Sequence, residues 1–431
     1  MRILMFGWEY PPHISGGLGT ACQGIAKGLC AYNDVELTFV LPRAYGDEAA
    51  EGVRFISASD IELSEESLKL LSKHDYYHMR EPVIVSGYIS SYHYEELIKK
   101  KKKPVLGKTT IATGNKISLS GKYGATLFDE IYKYSVVAGE IAEIEEFDVI
   151  HAHDWMTFRA GIEAKKLSGK PLVVHVHATE FDRSGKNYNR NVFRIEQEGM
   201  KNADIVIAVS ELTRNTVIKK YGIPASRVHT VYNAADEAAA FSQTSDLRKV
   251  MNEKIVTFLG RITYQKGPEF FIAAAQKVLQ RMRDVRFVMA GSGDMSEKMI
   301  RYVASLGISD RFHFAGFLKG SDVNRMYAMS DLYVMPSVSE PFGISPLEAL
   351  QSGVPVIISK QSGVSEIIAH AIKIDFWDID AMADAIYGIL KYPRLAHFLR
   401  NKGKEDVGRL SWKESAGKIR QLYYQVLKRP A

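Results

Sequence analysis

Short apolar runs alternate with longer amphipathic stretches along most of this chain. The first run, Ile3-Leu4-Met5-Phe6, predicts a strand over residues 2–6, and a Gly/Pro-rich loop follows it through Gly19. Residues 20–31 read as a helix with Ile25, Gly28 and Leu29 on one face. Further strands are expected over 35–41, 148–153, 172–176 and 205–209. Strands that are apolar throughout, with helices between them, imply a parallel sheet covered on both faces.

The pattern restarts after Ala235. Strands are expected over 255–259, 285–290, 312–315, 332–335 and 354–358, each followed by a helical stretch. A polar, Ala-rich stretch without strand signal begins at Asp236, and residues 237–252 read as a linker. The chain therefore divides into a doubly wound unit over 1–236, a second over 253–395, and a helical segment over 396–431. The helix expected over 412–427 in that last segment could cross back to the first unit. Residues 59–135 read as irregular, Tyr- and Lys-rich, and include the run Lys99 to Lys103. A solvated helix end or loop accounts for that run; the alternative is an insertion touching an acceptor or an anionic partner.

Composition narrows the class. A chain of 431 residues exceeds what one core supports, and 46% hydrophobic with 25% charged residues is ordinary for a soluble globular protein. The formal charge of +6 suits phosphorylated ligands but is not the basic footprint of a nucleic-acid binder. Cys22 and Cys30 fall on one expected helix, roughly 12 Å apart and too far for a disulfide. That suits a reducing compartment. Met1 leads straight into a strand without a signal pattern, and no apolar run reaches the ~18 residues of a membrane span. The expected location is cytoplasmic, with no integral membrane segment and no nucleic-acid partner.

Candidate chemistry falls at the carboxyl ends of the expected strands, where open α/β sheets bind ligands. Gly16-Gly17-Leu18-Gly19 closes the first loop ahead of a helix, so backbone N–H groups could meet a phosphate; a tight turn explains it equally well. In His151-Ala152-His153-Asp154-Trp155, alternation puts both histidines on one face, with His153 nearer the strand end. A buried, backbone-bonded histidine is the plain alternative. A metal would need a third ligand, which His175 or His177 could supply, but none is expected.

Two later segments carry more. Gly260-Arg261-Ile262-Thr263-Tyr264-Gln265-Lys266-Gly267 puts two fixed cations just past a buried strand, suited to neutralising a diphosphate. Ser339-Glu340-Pro341-Phe342-Gly343-Ile344-Ser345-Pro346-Leu347-Glu348 puts two carboxylates eight positions apart around a helix start. Ser345, Pro346 and Glu348 fit a capping box, which would give Glu348 a structural task. Glu340 has no such explanation. A phosphate would suit the N–H groups of Phe342, Gly343 and Ile344. Gly291-Ser292-Gly293-Asp294 is explained as well by a plain turn.

Taken together, Gly16-Gly17, His153-Asp154-Trp155, Gly260-Arg261 with Lys266-Gly267, and Glu340 with seven residues before Glu348 resemble the retaining glycosyltransferases of the GT-B fold. The likeness is to families four and five, which include glycogen, starch and sucrose synthases. It implies two Rossmann-like domains facing a cleft. It also implies roles: Arg261 and Lys266 on the donor diphosphate, Glu340 beside the transferred sugar, Glu348 on the ribose hydroxyls. Gly17 would meet the phosphate. His153 would lie near the sugar's C6 hydroxyl, with its carbonyl close to the anomeric carbon. Two departures separate the chain from bacterial glycogen synthases. Ile14 stands where they carry a lysine, and Gln361-Ser362-Gly363-Val364-Ser365 stands where they carry Thr-Gly-Gly. Family four, often using UDP-sugars, is the better match.

The expectation is a retaining, metal-independent hexosyltransferase without a cofactor. It would move glucose from UDP- or ADP-glucose to a carbohydrate acceptor, an α-glucan first. The rivals are a sugar-nucleotide epimerase or glucan phosphorylase on the same fold, and a non-catalytic glycan-binding protein. A phosphorylase would need a pyridoxal lysine that the sequence does not reveal. A pure binder has no need of paired diphosphate cations.

Overall fold

The computed structural model describes residues 1–14, 16–77, 111–112, 115–124, 126–235 and 253–428. Its elements run β1 (Arg2–Phe6), α1 (Gly17–Cys30), β2 (Glu36–Leu41), β3 (Val53–Ser57), α2 (Glu65–Tyr77), β4 (Ile111–Ala112), β5 (Lys116–Ile117), α3 (Leu127–Ile144), β6 (Val149–His153), α4 (Trp155–Ser168), β7 (Leu172–Val176), α5 (Glu180–Ser184), α6 (Arg190–Asn202), β8 (Ile205–Ala208), α7 (Glu211–Tyr221) and β9 (Val228–Thr230). The second half runs β10 (Lys254–Leu259), α8 (Pro268–Leu279), β11 (Val285–Ala290), α9 (Ser296–Ser305), β12 (Phe312–Gly316), α10 (Ser321–Met329), β13 (Leu332–Met335), α11 (Ser345–Gln351), β14 (Val356–Ser359), β15 (Ile372–Ile374), α12 (Ile379–Lys391), α13 (Pro393–Val407) and α14 (Trp412–Leu427).

Apart from the antiparallel pair β4-β5, the strands build two parallel, Rossmann-like sheets. The first has the order β3-β2-β1-β6-β7-β8-β9 and the second β12-β11-β10-β13-β14-β15. Ile3, Leu4, Met5 and Phe6 are all buried, because helices cover both faces of the sheet they occupy. That is why the central strands read as unbroken apolar runs.

Strand order fixes where ligands can go. In the first sheet the chain turns one way from β1 to β2 and the other way to β6. In the second, β10 lies between β11 and β13. The loops leaving β1 and β6, and those leaving β10 and β13, therefore diverge at a crevice at each carboxyl edge.

The described part of the region 59–135 is more regular than its composition suggests. It contains α2 and the start of α3, which buries Leu127, Ile131, Tyr134, Val137, Ala138 and Ile141 at helical spacing. Polar and tyrosine positions dilute that pattern in the sequence. The expected linker 237–252 and the run Lys99 to Lys103 lie outside the described residues. The edge strands β3, β9 and β15 carry too few apolar residues to stand out.

The last helix packs on the first. Trp412, Ala416, Ile419 and Tyr423 of α14 join a core with Ile25, Ala26 and Leu29 of α1. The Trp412 indole lies directly over Gly24, where an added Cβ would sit 2.1 Å from a ring carbon. Arg420 of α14 pairs with Asp34, its Nη2 lying 2.5 Å from Oδ2. Among the described residues, no helix is long and apolar enough to cross a membrane.

Candidate active site

The loop leaving β10 carries Arg261 and then a 3-10 turn, Tyr264–Lys266. Gly267 follows with a φ of 62°, and Pro268 opens α8, where its missing N–H costs nothing. This turn holds Lys266 toward the neighbouring loop, which leaves β13. There Lys266 Nζ lies 2.5 Å from Glu340 Oε2. The Ser337 hydroxyl donates to the same oxygen at 3.1 Å. Glu340 is 6% exposed, and its backbone is pinned to residues 361–363 by bonds from Glu340 N to Gln361 O and from Gly363 N to Glu340 O, each 2.9 Å. Arg261 donates to Gln265 Oε1 at 3.3 Å. It also faces Asp294, whose carboxyl is pushed up by burial while Arg261 pulls the other way.

Glu348 does not form the expected capping box. Helix α11 starts at Ser345 with no side-chain cap, so Ser345 is a first-turn residue and its hydroxyl pairs with Tyr333 OH at 2.9 Å. The Glu348 carboxylate instead accepts from Tyr327 OH at 3.3 Å. The helix begins one residue earlier than the box requires, because Ile344 already has helical angles. A local structural reason for a glutamate at 348 is thereby removed. Phe342 is buried, and Gly343 turns the chain at a φ of 103°.

In the first domain, α1 starts at Gly17, earlier than the sequence implied, with Gly16 extended before it. An added Cβ at either glycine would meet nothing within 4 Å, so this corner is open to an approaching group. Behind it lies Glu9, a buried carboxylate that sequence reasoning passed over. Its Oε1 accepts the Gly19 N–H at 3.1 Å and its Oε2 accepts the Tyr123 hydroxyl at 3.1 Å. The only signal for it was its place in the loop that follows β1.

At the end of β6, His153 is fully buried, its ring in a row of four imidazoles with His151 of β6, His175 of β7 and His177 just past β7. Its Nδ1 lies 2.9 Å from His177 Nε2. Its carbonyl accepts the Thr157 hydroxyl at 2.8 Å. His177, just past β7, is the half-buried end of the row. Burial holds His151 and His177 down at about 3 and His153 and His175 well below the ordinary imidazole range, so all four are neutral. Asp154 begins α4 at a φ of 59° and accepts the His177 N–H at 2.7 Å; burial pushes its carboxyl up to about 6.

Two groups here have donor atoms close enough to share a metal: Cys22 with His153 and His177, and His151 with His153 and His175, each set within 4.8 Å. In the second set the rings are stacked 12–26° from parallel. Their in-plane lone pairs then run in separate planes, a poor match to a tetrahedral ion.

The two domains touch at residues that follow strands of both sheets. Ser339 donates to Asp182 Oδ1 at 2.6 Å, and Ser210 donates to the Pro341 carbonyl at 2.5 Å. Glu366 accepts the N–H groups of Glu211 and Leu212 at 2.9 and 2.8 Å, capping α7 from the other domain.

Comparison with known proteins agrees with this fold. Residues 241–406 match the family of glycosyl transferases group 1, and residues 127–239 match glycosyltransferase family 4. The chain is 28% identical over 440 residues to an uncharacterised glycosyltransferase of Methanocaldococcus jannaschii, covering 98% of each. It is 24% identical over 443 residues to a glycogen synthase of Mycobacterium tuberculosis, covering 98% of this chain and 94% of that one. Among solved structures, a sucrose-phosphate synthase from Thermosynechococcus elongatus superposes with a TM-score of 0.73 at 18% identity, covering 99% of this chain and 98% of that chain. The Anabaena protein HepE in complex with UDP-glucose superposes with a TM-score of 0.67 at 19% identity, covering 99% of this chain and all of that one. The chain is a glycosyltransferase of the GT-B group.

Proposed function

We propose that this GT-B glycosyltransferase moves a hexose, glucose first, from a nucleotide-sugar to a carbohydrate acceptor, with retention at the anomeric carbon and without a metal ion or cofactor. The observation that carries the reading is the contact between Lys266 and Glu340 at the switch point of the second sheet. A diphosphate entering beside Arg261 would draw Lys266 to itself. Glu340 would then face the sugar, where positive charge develops as the C1–oxygen bond to the diphosphate breaks. The acceptor hydroxyl oxygen comes to hold C1 with net retention, and its proton passes to the departing diphosphate.

The remaining assignments follow the resemblance to GT-B transferases. Glu348, steadied by Tyr327, reaches the ribose hydroxyls. The backbone of Gly16, Gly17, Phe342, Gly343 and Ile344 lies along the phosphates. His177, backed by His153, meets a sugar hydroxyl as a neutral imidazole. UDP-glucose is the donor favoured by the HepE complex, and ADP-glucose the alternative that glycogen synthase kinship brings. The same kinship favours an α-glucan acceptor. The free thiols of Cys22 and Cys30 favour action in the cytoplasm.

The test is to incubate the protein with UDP-glucose or ADP-glucose and a malto-oligosaccharide in the presence of a chelator, and to read the new linkage by proton NMR. An α-linked product supports the reading. A β-linked product would exclude retention, and product that forms only with an added divalent cation would exclude metal independence.

A further inference from the structure

Glu340 has two chain neighbours, and the other domain grips both. On one side, the Ser339 hydroxyl donates to Asp182 Oδ1 at 2.6 Å. On the other, the Pro341 carbonyl accepts from Ser210 Oγ at 2.5 Å and from Thr213 Oγ1 at 3.4 Å. We propose that Ser210 and Asp182 are positioning residues that align Glu340 for turnover when the domains dock. This inference rests on the reading of Glu340 as the carboxylate beside the transferred sugar.

The contact is built rather than incidental. Ser210 is fully buried and Asp182 nearly so. Asp182 is itself fixed, since its Oδ2 accepts from Thr179 N at 2.8 Å and from Thr179 Oγ1 at 2.7 Å. Gly363, whose N–H bonds the Glu340 carbonyl, passes so close to the seam that an added Cβ would lie 2.3 Å from Pro341 O and 2.5 Å from Ser210 Cβ. Glu366, three residues on, caps α7, whose N-cap is Ser210. The strip from 361 to 366 thus ties the Glu340 loop to one helix start of the other domain.

The energetic consequence concerns when Glu340 is aligned, not whether the donor binds. Arg261, Lys266 and Glu348 all belong to the second domain, so a donor can be held there with the domains apart. The 336–344 loop would then lack both lateral bonds. A misplaced catalytic group costs rate steeply while leaving ground-state binding intact. Alignment on docking would also keep an open, water-filled cleft from hydrolysing the donor.

Two mild variants separate this from a purely structural role. Ser339→Ala removes one bond and touches no cap. Ser210→Gly removes the other while keeping an acceptable N-cap residue at an extended position. With UDP-glucose and ADP-glucose as donor probes, each variant should lower kcat by about tenfold, the worth of one hydrogen bond. Donor affinity by calorimetry should stay within about twofold of wild type, the pattern of an interaction made in the transition state. Ser339→Thr and Ser210→Thr, which keep the hydroxyl, should recover most of the rate. If both deletion variants keep wild-type kcat while Glu340→Gln abolishes turnover, the positioning role is wrong and the site reading stands. Donor affinity that falls in step with kcat would also overturn it, since the contacts would then act on binding. If Glu340→Gln turns over like wild type, or wild type turns over neither donor, the site reading fails and this inference falls with it.

Discussion

Lys266 Nζ and Glu340 Oε2 stand 2.5 Å apart, joining the loops that leave adjacent strands β10 and β13. Seventy-four positions separate the two residues in sequence, and the switch point of the sheet brings them together. In this state the cation neutralises a nearly buried carboxylate, so each partner is held ready by the other.

Removing one partner should therefore cost more than removing both charges. Lys266→Met leaves the Glu340 carboxylate with Ser337 in a site that is 6% exposed. A loss of about 2 kcal/mol in stability is expected, below the full buried-pair value because the Lys266 side chain is 19% exposed. The double variant Lys266→Met with Glu340→Gln should regain part of it. Urea denaturation checks this; a double-variant loss equal to the sum of the two singles would mean the pair is uncoupled.

Glu348→Gln tests the ribose role directly, now that no capping box competes for the explanation. The change keeps the shape and removes the charge. Donor affinity should weaken by about 1.5–3 kcal/mol, with stability nearly unaltered. Unchanged donor affinity in a calorimetric titration would remove Glu348 from the site.

Much of this was legible in the chain. The central strands announce themselves because burial on both faces demands continuous apolar runs, and the cation and carboxylate motifs fall where those strands end. What escaped depended on contacts far apart in sequence. His153 is the histidine nearer the strand end, but spacing does not report that the parallel pairing of β6 with β7 sets His175 beside it and His177 beyond. Glu9 carries no local pattern, and Asp182 and Ser210 show only as helix-start residues, Asp182 boxed with Thr179 and Ser210 capping α7; their contacts beside Glu340 are made by the fold. The capping box failed by one residue, a shift that side-chain spacing alone does not report. α3 was diluted by Glu130, Lys133 and Tyr134, polar or charged residues buried among its apolar ones.

The packing of α14 on α1 predicts an intolerant glycine. Gly24→Ala would drive a methyl group into the Trp412 indole, while Trp412 is held in place by the Ser411-capped start of its helix. A destabilisation of about 1–3 kcal/mol is expected from overpacking. Gly24→Ala with Trp412→Leu should restore part of that loss. Equal stability of Gly24→Ala and wild type in thermal denaturation would show that the contact yields freely.

The histidine row predicts how stability responds to acid. His151 and His177, held at about 3, and His153 and His175, also depressed, bind fewer protons folded than unfolded below an unfolded value near 6.5. Their contribution is present above that value and is lost as pH falls. Glu196, raised to about 7 by burial, and Asp154, raised to about 6, act in the opposite sense. Burial also raises Glu130 and Asp294, yet near pH 5 each imidazole differs by almost a full proton and each carboxyl by less, so the unfolded chain binds more protons and stability should fall on acidification from pH 7.5 to 5. His175→Phe, which replaces a buried ring with both nitrogens unpaired, should flatten the slope by about one proton. Stability that rises or stays level over that range would contradict the neutral row.

The central claim is that Glu340 serves chemistry on a nucleotide-hexose held by Arg261 and Lys266. Its most direct test is release of nucleoside diphosphate from UDP-glucose and ADP-glucose, with malto-oligosaccharide present, by wild type and by Glu340→Gln. The account predicts release by wild type from at least one donor, and a loss of at least about a hundredfold in kcat in the variant, with donor affinity changed far less. Release by Glu340→Gln at the wild-type rate, or none by wild type from either donor, would contradict it.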